Sequence, residues 1–369
     1  MKFTIAKEQL LNGLQAVQNI VGSRTTLPIL SNVLLRGQDA SLELTATDLD
    51  VTVSCAVEAS MKKPGAVTVP VKKLFAIVRE LNIGELEVEV DDKNACKLKS
   101  GASFYRINGL AAEEFPPMPE FSEKRKIVVP QDKIKGMLKR TSFAVSTDET
   151  RYVLNGIFMS LKNQKITMVA TDGRRLALTD EEVDVNADSE AEFIVPTKAI
   201  NELNRLLQAK GEVQIKFTEN QACFNLKDEK GFSVVVVSKL VEGNYPNYKQ
   251  VIPGEAGERI SLVREELLQA LRRAEIMTSE KSNSVKLSFT TNNLAITANT
   301  PEVGEARESL AINYKGKELA VAFNPSYLMD PLKALDSDEV FLELTDELSP
   351  GVVKVNGPFL YVIMPMRMT

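Results

Sequence analysis

The feature that most constrains this chain is a local pattern that occurs six times. In each copy a short run of strand-like residues leads directly into a segment with helical periodicity. Successive copies are 60 to 67 residues apart, and their last strand residues are Ile5, Val69, Val129, Val195, Leu262 and Phe323. A chain of 369 residues with this repetition is expected to fold as several similar units and not around one large core.

Every second copy of the pattern recurs after 124 to 133 residues. This spacing predicts domains that each contain two copies, which we call half-repeats. Two segments rich in proline and glycine, 113–126 and 243–258, interrupt the periodicity before the third and fifth copies. We therefore predict three domains of about 123 residues. Their expected limits are 1–122, 123–252 and 253–369.

The segments between the helices are short and alternate between apolar and polar residues, which is typical of strands in antiparallel sheets. Strands outnumber helices severalfold, so the fold class is α+β, with two helices packed on antiparallel sheets in each domain. The predicted helices are 7–20, 71–81, 131–142, 197–209, 264–277 and 325–335.

A Thr-Asp step follows one strand in each of the first two domains. Thr47-Asp48 and Thr171-Asp172 are 124 residues apart, which is one domain length, and Asn299-Thr300 stands at the equivalent place in the third domain. A carboxylate that one copy lacks is a poor candidate for catalysis. The step is therefore interpreted first as a turn that ends a strand.

Composition excludes several kinds of active site. The chain has no histidine, which removes the commonest general base and the usual triads. Cys55, Cys96 and Cys223 are widely separated in strand-like contexts, so we predict no disulfide, metal site or cofactor. Neither a signal peptide nor an apolar run of about 20 residues is present, and a cytoplasmic location is the expectation.

The charge is unevenly distributed. The chain has a net charge of −5, yet the predicted helices contain fourteen Lys and Arg against eight Asp and Glu. Basic helices on an acidic body would turn one face toward phosphates. Alternatively, the lysines lie on solvent-exposed helix faces and bind nothing. The charge count alone does not decide between these two interpretations.

Six motifs occur in order along the whole chain: MKFTIAKEQLL, RTTLPILSNVLL, RYVLNGI, VATDGRRLAL, SKLVEGNYPNY and YVIMPMR. Together they resemble one family, the bacterial sliding clamps that are β subunits of DNA polymerase III. The resemblance implies a head-to-tail homodimer whose three domains per subunit close a six-domain ring, with helices lining a hole around double-stranded DNA. It implies a processivity factor and no catalytic residue.

The expected DNA-facing residues combine the resemblance with the helix charge. Arg24 and Lys198 match basic positions of the family and Tyr152 an aromatic one, while Lys72 and Lys73 come from the charge of the second helix. Asp148 departs from the family, because a neutral contact residue is common there.

The resemblance also implies a peptide-binding cleft between the second and third domains. Its partners would be the polymerase α subunit, the clamp loader, repair polymerases and other proteins with a short motif that ends in hydrophobic residues. The expected walls are Leu154, Thr171, Gly173, Arg174, Arg175, Leu176, Pro246, Val251, Asn324, Tyr327, Leu348, Val362, Ile363, Met364, Pro365, Met366 and Arg367. Arg174 and Gln250 depart from residues common in the family.

For the dimer interface, the resemblance pairs an edge strand around Tyr105 and Ile107 with the helix end at Ile276 and Met277. Two other hypotheses remain. An enzyme would use TDGRR and the scattered acidic pairs as acid-base or metal groups, but those pairs lie in turn-like segments, and no nucleotide-binding loop is present. A three-repeat scaffold that binds proteins but never DNA is the other, and only experiment separates it from a clamp.

Overall fold

The computed structural model describes residues 1–22, 27–82, 84–122, 126–185, 189–254, 257–279 and 283–367. All six predicted helices are present, and each begins at the predicted residue and ends up to three residues before the predicted end. They are α1 (Lys7–Val17), α2 (Val71–Glu80), α3 (Gln131–Thr141), α4 (Thr197–Leu206), α5 (Arg264–Glu275) and α6 (Pro325–Ala334).

The strands are short, as the alternating pattern predicts. In the first domain they are β1 (Lys2–Ala6), β2 (Asn32–Gln38), β3 (Ser41–Thr47), β4 (Val51–Glu58), β5 (Ser60–Lys63), β6 (Gly65–Pro70), β7 (Glu85–Val90), β8 (Ala95–Ser100) and β9 (Ser103–Asn108). In the second domain they are β10 (Lys126–Pro130), β11 (Gly156–Lys162), β12 (Lys165–Thr171), β13 (Arg175–Glu182), β14 (Ala191–Pro196), β15 (Glu212–Phe217), β16 (Gln221–Lys227) and β17 (Ser233–Lys239). In the third domain they are β18 (Glu258–Val263), β19 (Val285–Thr290), β20 (Asn293–Thr300), β21 (Gly304–Ala311), β22 (Leu319–Phe323), β23 (Glu339–Leu344), β24 (Gly351–Lys354) and β25 (Phe359–Ile363).

The two helices of each domain are joined by the same kind of contact. A basic side chain in the first turns of the first helix donates to a main-chain oxygen at the end of the second helix, where carbonyls lack partners and carry partial negative charge. The pairs are Lys7 with Arg79 at 3.0 Å, Lys135 with Leu207 at 3.0 Å and Arg264 with Leu332 at 2.9 Å. This repeated contact supports the interpretation of the chain as three related domains.

One compact unit comprises Met1–Lys135, Asn186–Ser189 and Lys198–Leu240. It contains a five-stranded sheet in the order β5-β1-β7-β8-β9 and an eight-stranded sheet in the order β10-β15-β16-β17-β4-β3-β2-β6. Neighbouring strands are antiparallel, and β17 pairs with β4 so that Val236 lies opposite Val53. The eight-stranded sheet is therefore two four-stranded sheets, one from each of two adjacent domains, joined at their edges.

The other compact unit comprises Gly136–Val185, Glu190–Thr197 and Val241–Thr369. Its eight-stranded sheet has the order β14-β11-β12-β13-β25-β24-β23-β18, and its four-stranded sheet has the order β21-β20-β19-β22. Here β13 and β25 form the joint, with Leu176 opposite Val362. One unit thus contains the first domain and part of the second, and the other unit contains the third domain and the rest of the second. Strand pairing at the joints connects the adjacent domains within each unit.

Helix amphipathicity accounts for the packing in each unit. In α2, Val71, Leu74 and Val78 are buried at helical spacing, whereas Lys72 and Lys73 are exposed.

Across the six helices as observed, the count of fourteen basic and eight acidic residues is unchanged from the sequence estimate.

The third strand after each helix is the one that joins adjacent domains. This strand of one half-repeat pairs with the equivalent strand of another half-repeat at β4–β17 and at β13–β25. The remaining two such strands, β9 and β21, each pair with one neighbour only within the described residues. These edges present unpaired main-chain groups.

Candidate functional site

The Thr-Asp step after β12 forms a tight turn through its own side chains. The Asp172 carboxylate accepts the main-chain NH groups of Arg174 at 2.9 Å and Arg175 at 3.1 Å, and the Thr171 hydroxyl donates to the Arg175 oxygen at 2.6 Å. Gly173 has φ of +86°, a conformation that suits glycine. The turn therefore brings Arg175 to the first position of β13.

The first domain contains the same turn. The Asp48 carboxylate accepts the NH groups of Asp50 at 3.1 Å and Val51 at 2.8 Å, and Thr47 donates to the Val51 oxygen at 3.2 Å. Leu49 has φ of +78°, at the position of Gly173. The prediction that this step is a structural turn agrees with these contacts.

In the third domain the predicted alignment is shifted by one residue. Thr300, and not Asn299, occupies the position of Thr171, because its hydroxyl lies 3.5 Å from the oxygen of Gly304, four residues later. Pro301 therefore stands where the first two domains have aspartate. Without a carboxylate in the turn, the Thr300 hydroxyl also donates to the Met277 oxygen at 2.6 Å.

Arg175 is the most highly connected side chain near the predicted cleft. Its guanidinium donates to Asp172 at 3.0 Å, to Asp330 at 2.5 Å and to the Phe143 oxygen at 2.7 Å, and it lies 4.3 Å from the ring centroid of Tyr327. Burial of Arg175 opposes its charge, but the hydrogen bond that its guanidinium donates to Asp330 and the nearby carboxylates raise its pKa. The residue is a permanent cation shared between the second and third domains.

Several residues predicted to form the apolar walls of the cleft are buried in the structure. Leu154 is 6% exposed, Leu176 and Val362 are each 2% exposed, and Ile363 is fully buried. Leu176 and Val362 form a cluster with Val169. These side chains offer little free surface and pack beneath the residues predicted to line the cleft. A charge at Leu176 would enter this core and disrupt folding as well as binding.

The tail that follows β25 is held in place. The Met364 NH donates to the Arg174 oxygen at 2.9 Å, and the Met366 NH donates to the Ala322 oxygen of β22 at 2.7 Å. Their side chains remain 44% and 39% exposed. The tail is therefore anchored through its main chain while it displays flexible apolar side chains, which adapt well to a ligand.

Other predicted cleft residues are also exposed. Leu348 is 82% exposed on the hairpin that Asp346 stabilises, and Val251 is 50% exposed. Pro246 is exposed beside Tyr245, whose ring stacks on Phe158 at 5.0 Å. Arg174, Arg367 and the divergent Gln250 are exposed, and Pro365 is half-buried.

Asn324 has a different local role from the one predicted. Its side-chain oxygen accepts the NH of Tyr327 at 3.3 Å and so caps the N-terminus of α6. The Tyr327 oxygen in turn accepts the hydroxyl of the buried Tyr361 at 2.8 Å. Asn324 therefore fixes the helix that carries Tyr327 and Asp330.

The predicted DNA-facing residues are not equivalent. Arg24 lies outside the described residues, and Lys72 and Lys73 are exposed on α2. Lys198 forms an ion pair with Asp48, so one of the expected cations is already neutralised by the first-domain turn. Tyr152 is 57% exposed on a short 3-10 helix, Glu149–Leu154.

The divergent residue Asp148 caps that 3-10 helix. Its carboxylate accepts the Thr150 hydroxyl at 2.6 Å, the Thr150 NH at 3.0 Å and Arg151 Nε at 3.0 Å. These hydrogen bonds, led by the Thr150 hydroxyl, hold the pKa of Asp148 below its usual value. Its acidic character is therefore explained locally, by the turn that presents Tyr152.

The residues predicted for the dimer interface differ in their exposure. Ile107 faces the interior of its own domain and is only 9% exposed, whereas its neighbours Tyr105 and Phe104 are 39% and 62% exposed. Phe104 was not predicted, although the alternation along β9 places it on the face opposite Ile107. At the end of α5, Ile276 is 72% exposed and Met277 is half-buried.

An acid-base, metal or thiol site would need particular groups among the described residues. Those residues contain no cluster of three or more His, Cys, Asp or Glu suited to a metal ion. Burial raises the pKa values of the Cys55 and Cys96 thiols to about 12, so neither is a ready nucleophile. Among the described helices, none has the length and apolar character needed to span a membrane.

Three similar α+β domains, joined edge to edge by strand pairing at β4–β17 and β13–β25, define the class of processivity clamps. Family models of the DNA polymerase III beta subunit match the chain throughout: the N-terminal domain at residues 1–119, the central domain at 128–247 and the C-terminal domain at 249–367. The chain belongs to the DNA polymerase III beta subunit family.

Individual relatives agree with this assignment. The chain is 35% identical to the beta sliding clamp of Chlamydia pneumoniae over 368 residues, which cover 100% of this chain and 99% of the relative. The crystal structure of the DNA polymerase sliding clamp from Bacillus subtilis superposes with a TM-score of 0.95 at 31% identity, with both chains fully covered. The sliding clamp from Bartonella birtlesii, solved with griselimycin bound, gives 0.93 at 35% identity over the full length of both chains.

Proposed function

We propose that this protein is a sliding clamp: a processivity factor that encircles duplex DNA and tethers the replicative polymerase to it. Family membership supports this function. The observation that carries it in this chain is the pattern of sheet joints. Of the six strands that stand third after a helix, four pair at the joints between domains, whereas β9 and β21 have no such partner within the described residues.

The strands β9 and β21 occupy the same place in their half-repeats. Each is the third strand after a helix, as are both strands at the joints β4–β17 and β13–β25. If β9 of one copy pairs with β21 of another, two copies related by a two-fold axis form two such joints, and all six equivalent strands of each copy are then paired. A closed ring of six domains results, with the strand β9, which carries Phe104 and Tyr105, next to the region of Ile276 and Met277.

The contact with DNA is weak and independent of sequence. Helices with a modest excess of basic residues attract phosphates, while the acidic remainder of the chain repels them elsewhere. Lys72, Lys73 and Tyr152 are exposed for this purpose, and Arg24 and Lys198 complete the proposed set. Retention on DNA comes from ring closure, so sliding is compatible with stable association.

Partner proteins bind the cleft between the second and third domains through a short peptide that ends in hydrophobic residues. The exposed apolar side chains of Leu348, Val251, Met364 and Met366 support this proposal. The polymerase α subunit, the clamp loader and repair polymerases are the expected partners. The protein itself is non-catalytic, needs no cofactor and works where bacterial DNA is replicated, in the cytoplasm.

Retention on circular and linear duplex tests the function directly. The dimer is loaded by a clamp loader and ATP onto a nicked circle, and the complex is passed over a sizing column in high salt. We expect the protein to stay with the circle, because salt screens phosphate contacts but does not open a ring. Cutting the circle once should release it.

The competing hypothesis, a scaffold that binds proteins but not DNA, predicts no retention on either form. Equal retention on circular and linear DNA at high salt would indicate ordinary tight binding and would contradict encirclement. Loading of a relative's clamp by the same loader provides the positive control for the assay.

A further inference from the structure

We propose that Arg175 is a positioning residue that fixes the separation of the two cleft walls before a peptide arrives, and is not itself a peptide ligand. This inference rests on the proposed peptide-binding function. It assigns to Arg175 a role different from the wall position that the family resemblance implied.

Three of the five N–H donors of Arg175 are already used within the chain. Each of its three guanidinium nitrogens donates to an internal acceptor, on Asp172, Asp330 and the Phe143 main chain. Its Cζ atom lies 4.3 Å from the centroid of the Tyr327 ring, and the side chain is 10% exposed. The guanidinium is therefore held in place by charge-assisted contacts, which are among the strongest that a side chain makes, and little of it is accessible to a peptide.

The acceptors come from three separate parts of the chain. Asp172 belongs to the turn between β12 and β13, Phe143 follows α3, and Asp330 lies on α6 of the third domain. The contact with Asp330 spans 155 residues of sequence. Arg175 therefore ties the second domain to the helix that carries Tyr327, on the opposite wall of the cleft.

Residues on both sides of Arg175 contact the tail and β25. The oxygen of Arg174 accepts the Met364 NH, and Leu176 lies opposite Val362 in the sheet. A shift of Arg175 would move both neighbours together with the exposed Met364 side chain. The geometry of the apolar slot thus depends on a side chain that does not line it.

The first domain provides an internal comparison. Its turn at Asp48 has the same hydrogen bonds, yet the residue at the position of Arg175 is Val51, which is 1% exposed. The turn therefore forms without an arginine. The guanidinium at this position in the second domain serves the joint with the third domain and not the turn.

A double-mutant cycle tests the proposal with a fluorescent peptide that ends in Leu-Phe as the probe. Arg175→Gln removes the donors, and Asp330→Asn removes one acceptor charge while it keeps the side-chain shape. We expect affinity losses of about tenfold and about fivefold, and a double variant no weaker than Arg175→Gln alone, because both lesions break one contact. Arg175→Lys should not restore affinity, since one ammonium group cannot replace three planar donors.

Hydrogen exchange in the absence of peptide supplies a second readout. If the walls are loosened, the Met364 and Met366 amides should exchange faster in Asp330→Asn and Arg175→Gln than in wild type. Asp330→Asn should still form the dimer, and its melting temperature should change little. Arg259→Gln is the matched control, because Arg259 also stacks on a ring, Phe341, at 4.3 Å but lies away from the cleft.

The outcomes separate the two proposals. If the wild-type protein does not bind the probe peptide, the proposed peptide-binding function fails. If wild type binds, but Asp330→Asn leaves both affinity and amide exchange unchanged while Arg175→Gln weakens binding, Arg175 contacts the peptide directly and the positioning role is overturned.

Discussion

Thr300 holds the end of α5 through a single hydrogen bond, from its hydroxyl to the main-chain oxygen of Met277 at 2.6 Å. Thr300 is 1% exposed, and the adjacent Ile276 is the exposed residue at that helix end. The third copy of the recurring turn thus supports the surface that we propose for dimerisation. In the same way, the first copy lies beside the joint β4–β17 and the second copy lies beside the joint β13–β25.

Replacement of this hydroxyl should weaken the dimer. Thr300→Val keeps the side-chain shape but removes a hydrogen bond worth roughly 1 kcal/mol. We therefore expect the dissociation constant for each joint of the dimer to rise about fivefold to tenfold. Sedimentation at decreasing protein concentration measures the effect. Thr45→Val, in a buried Thr-Ser pair of the first domain, is the control, and an equal effect there would contradict a specific role for Thr300.

Charged residues at the end of α5 should produce monomers. Ile276→Asp with Met277→Lys places two charges at a surface that pairing with β9 would bury, where an unpaired charge is strongly unfavourable. Phe104→Asp on β9 should have the same effect, because it lies on the other half of the proposed joint. Val128→Asp, on an exposed valine of β10, serves as the control. Dimers that persist in both variants would place the interface elsewhere.

Loss of helix charge should reduce the affinity of the free dimer for duplex DNA. Lys72→Glu with Lys73→Glu is expected to lower the slope of log affinity against log salt by about one unit for each phosphate contact removed. Lys62→Glu with Lys63→Glu on the outer strand β5 is the control. Equal losses in both pairs would indicate a general charge effect and not a helix surface.

Asp48→Asn should have the opposite effect on DNA binding. Asparagine can still accept the main-chain NH groups of the turn, but it no longer neutralises Lys198. We therefore expect binding at low salt to strengthen by about threefold, with a steeper salt dependence. Fluorescence anisotropy with a short duplex measures both quantities. If Lys198→Gln binds as tightly as Asp48→Asn, Lys198 makes no phosphate contact.

Exposed residues of the cleft should dominate peptide affinity. Leu348→Asp and deletion of residues 364–369 are each expected to lower affinity at least tenfold, since a few central apolar anchors carry most of the energy of such grooves. Titration of the Leu-Phe peptide measures this, and sedimentation should show intact dimers. Leu176→Ala, not a charged variant, is the appropriate change at the buried position, and unaltered affinity in Leu348→Asp would remove that hairpin from the site.

Alkaline pH should destabilise the protein through its buried thiols. The pKa of Cys55 is raised from 9.0 to about 12 by burial, so the folded state keeps a proton that the unfolded state loses. The stabilisation is fully present below pH 9 and declines as pH rises toward 12. Urea unfolding at pH 8 and pH 10 measures the loss, which should shrink in Cys55→Ala. An identical pH dependence in that variant would exclude the thiol as the cause.

Local patterns in the sequence determined the units of this fold. The change from alternating to helical periodicity marked the first residue of all six helices, because both patterns depend on neighbours within a few positions. The spacing of these starts indicated three domains of two half-repeats, and the Thr-Asp turn was recognisable because its hydrogen bonds lie within four residues.

Tertiary structure decided how those units combine and which side chains remain free. Alternation along β9 separates Phe104 from Ile107, but it does not say which face is buried, and the structure buries Ile107. Charge counts could not distinguish Lys72 from Lys198, because the partner of Lys198 lies on a turn 150 residues earlier in the chain. Arg175 meets Asp330 for the same reason: ion pairs depend on distance in space, and sheet joints bring together residues that sequence keeps far apart.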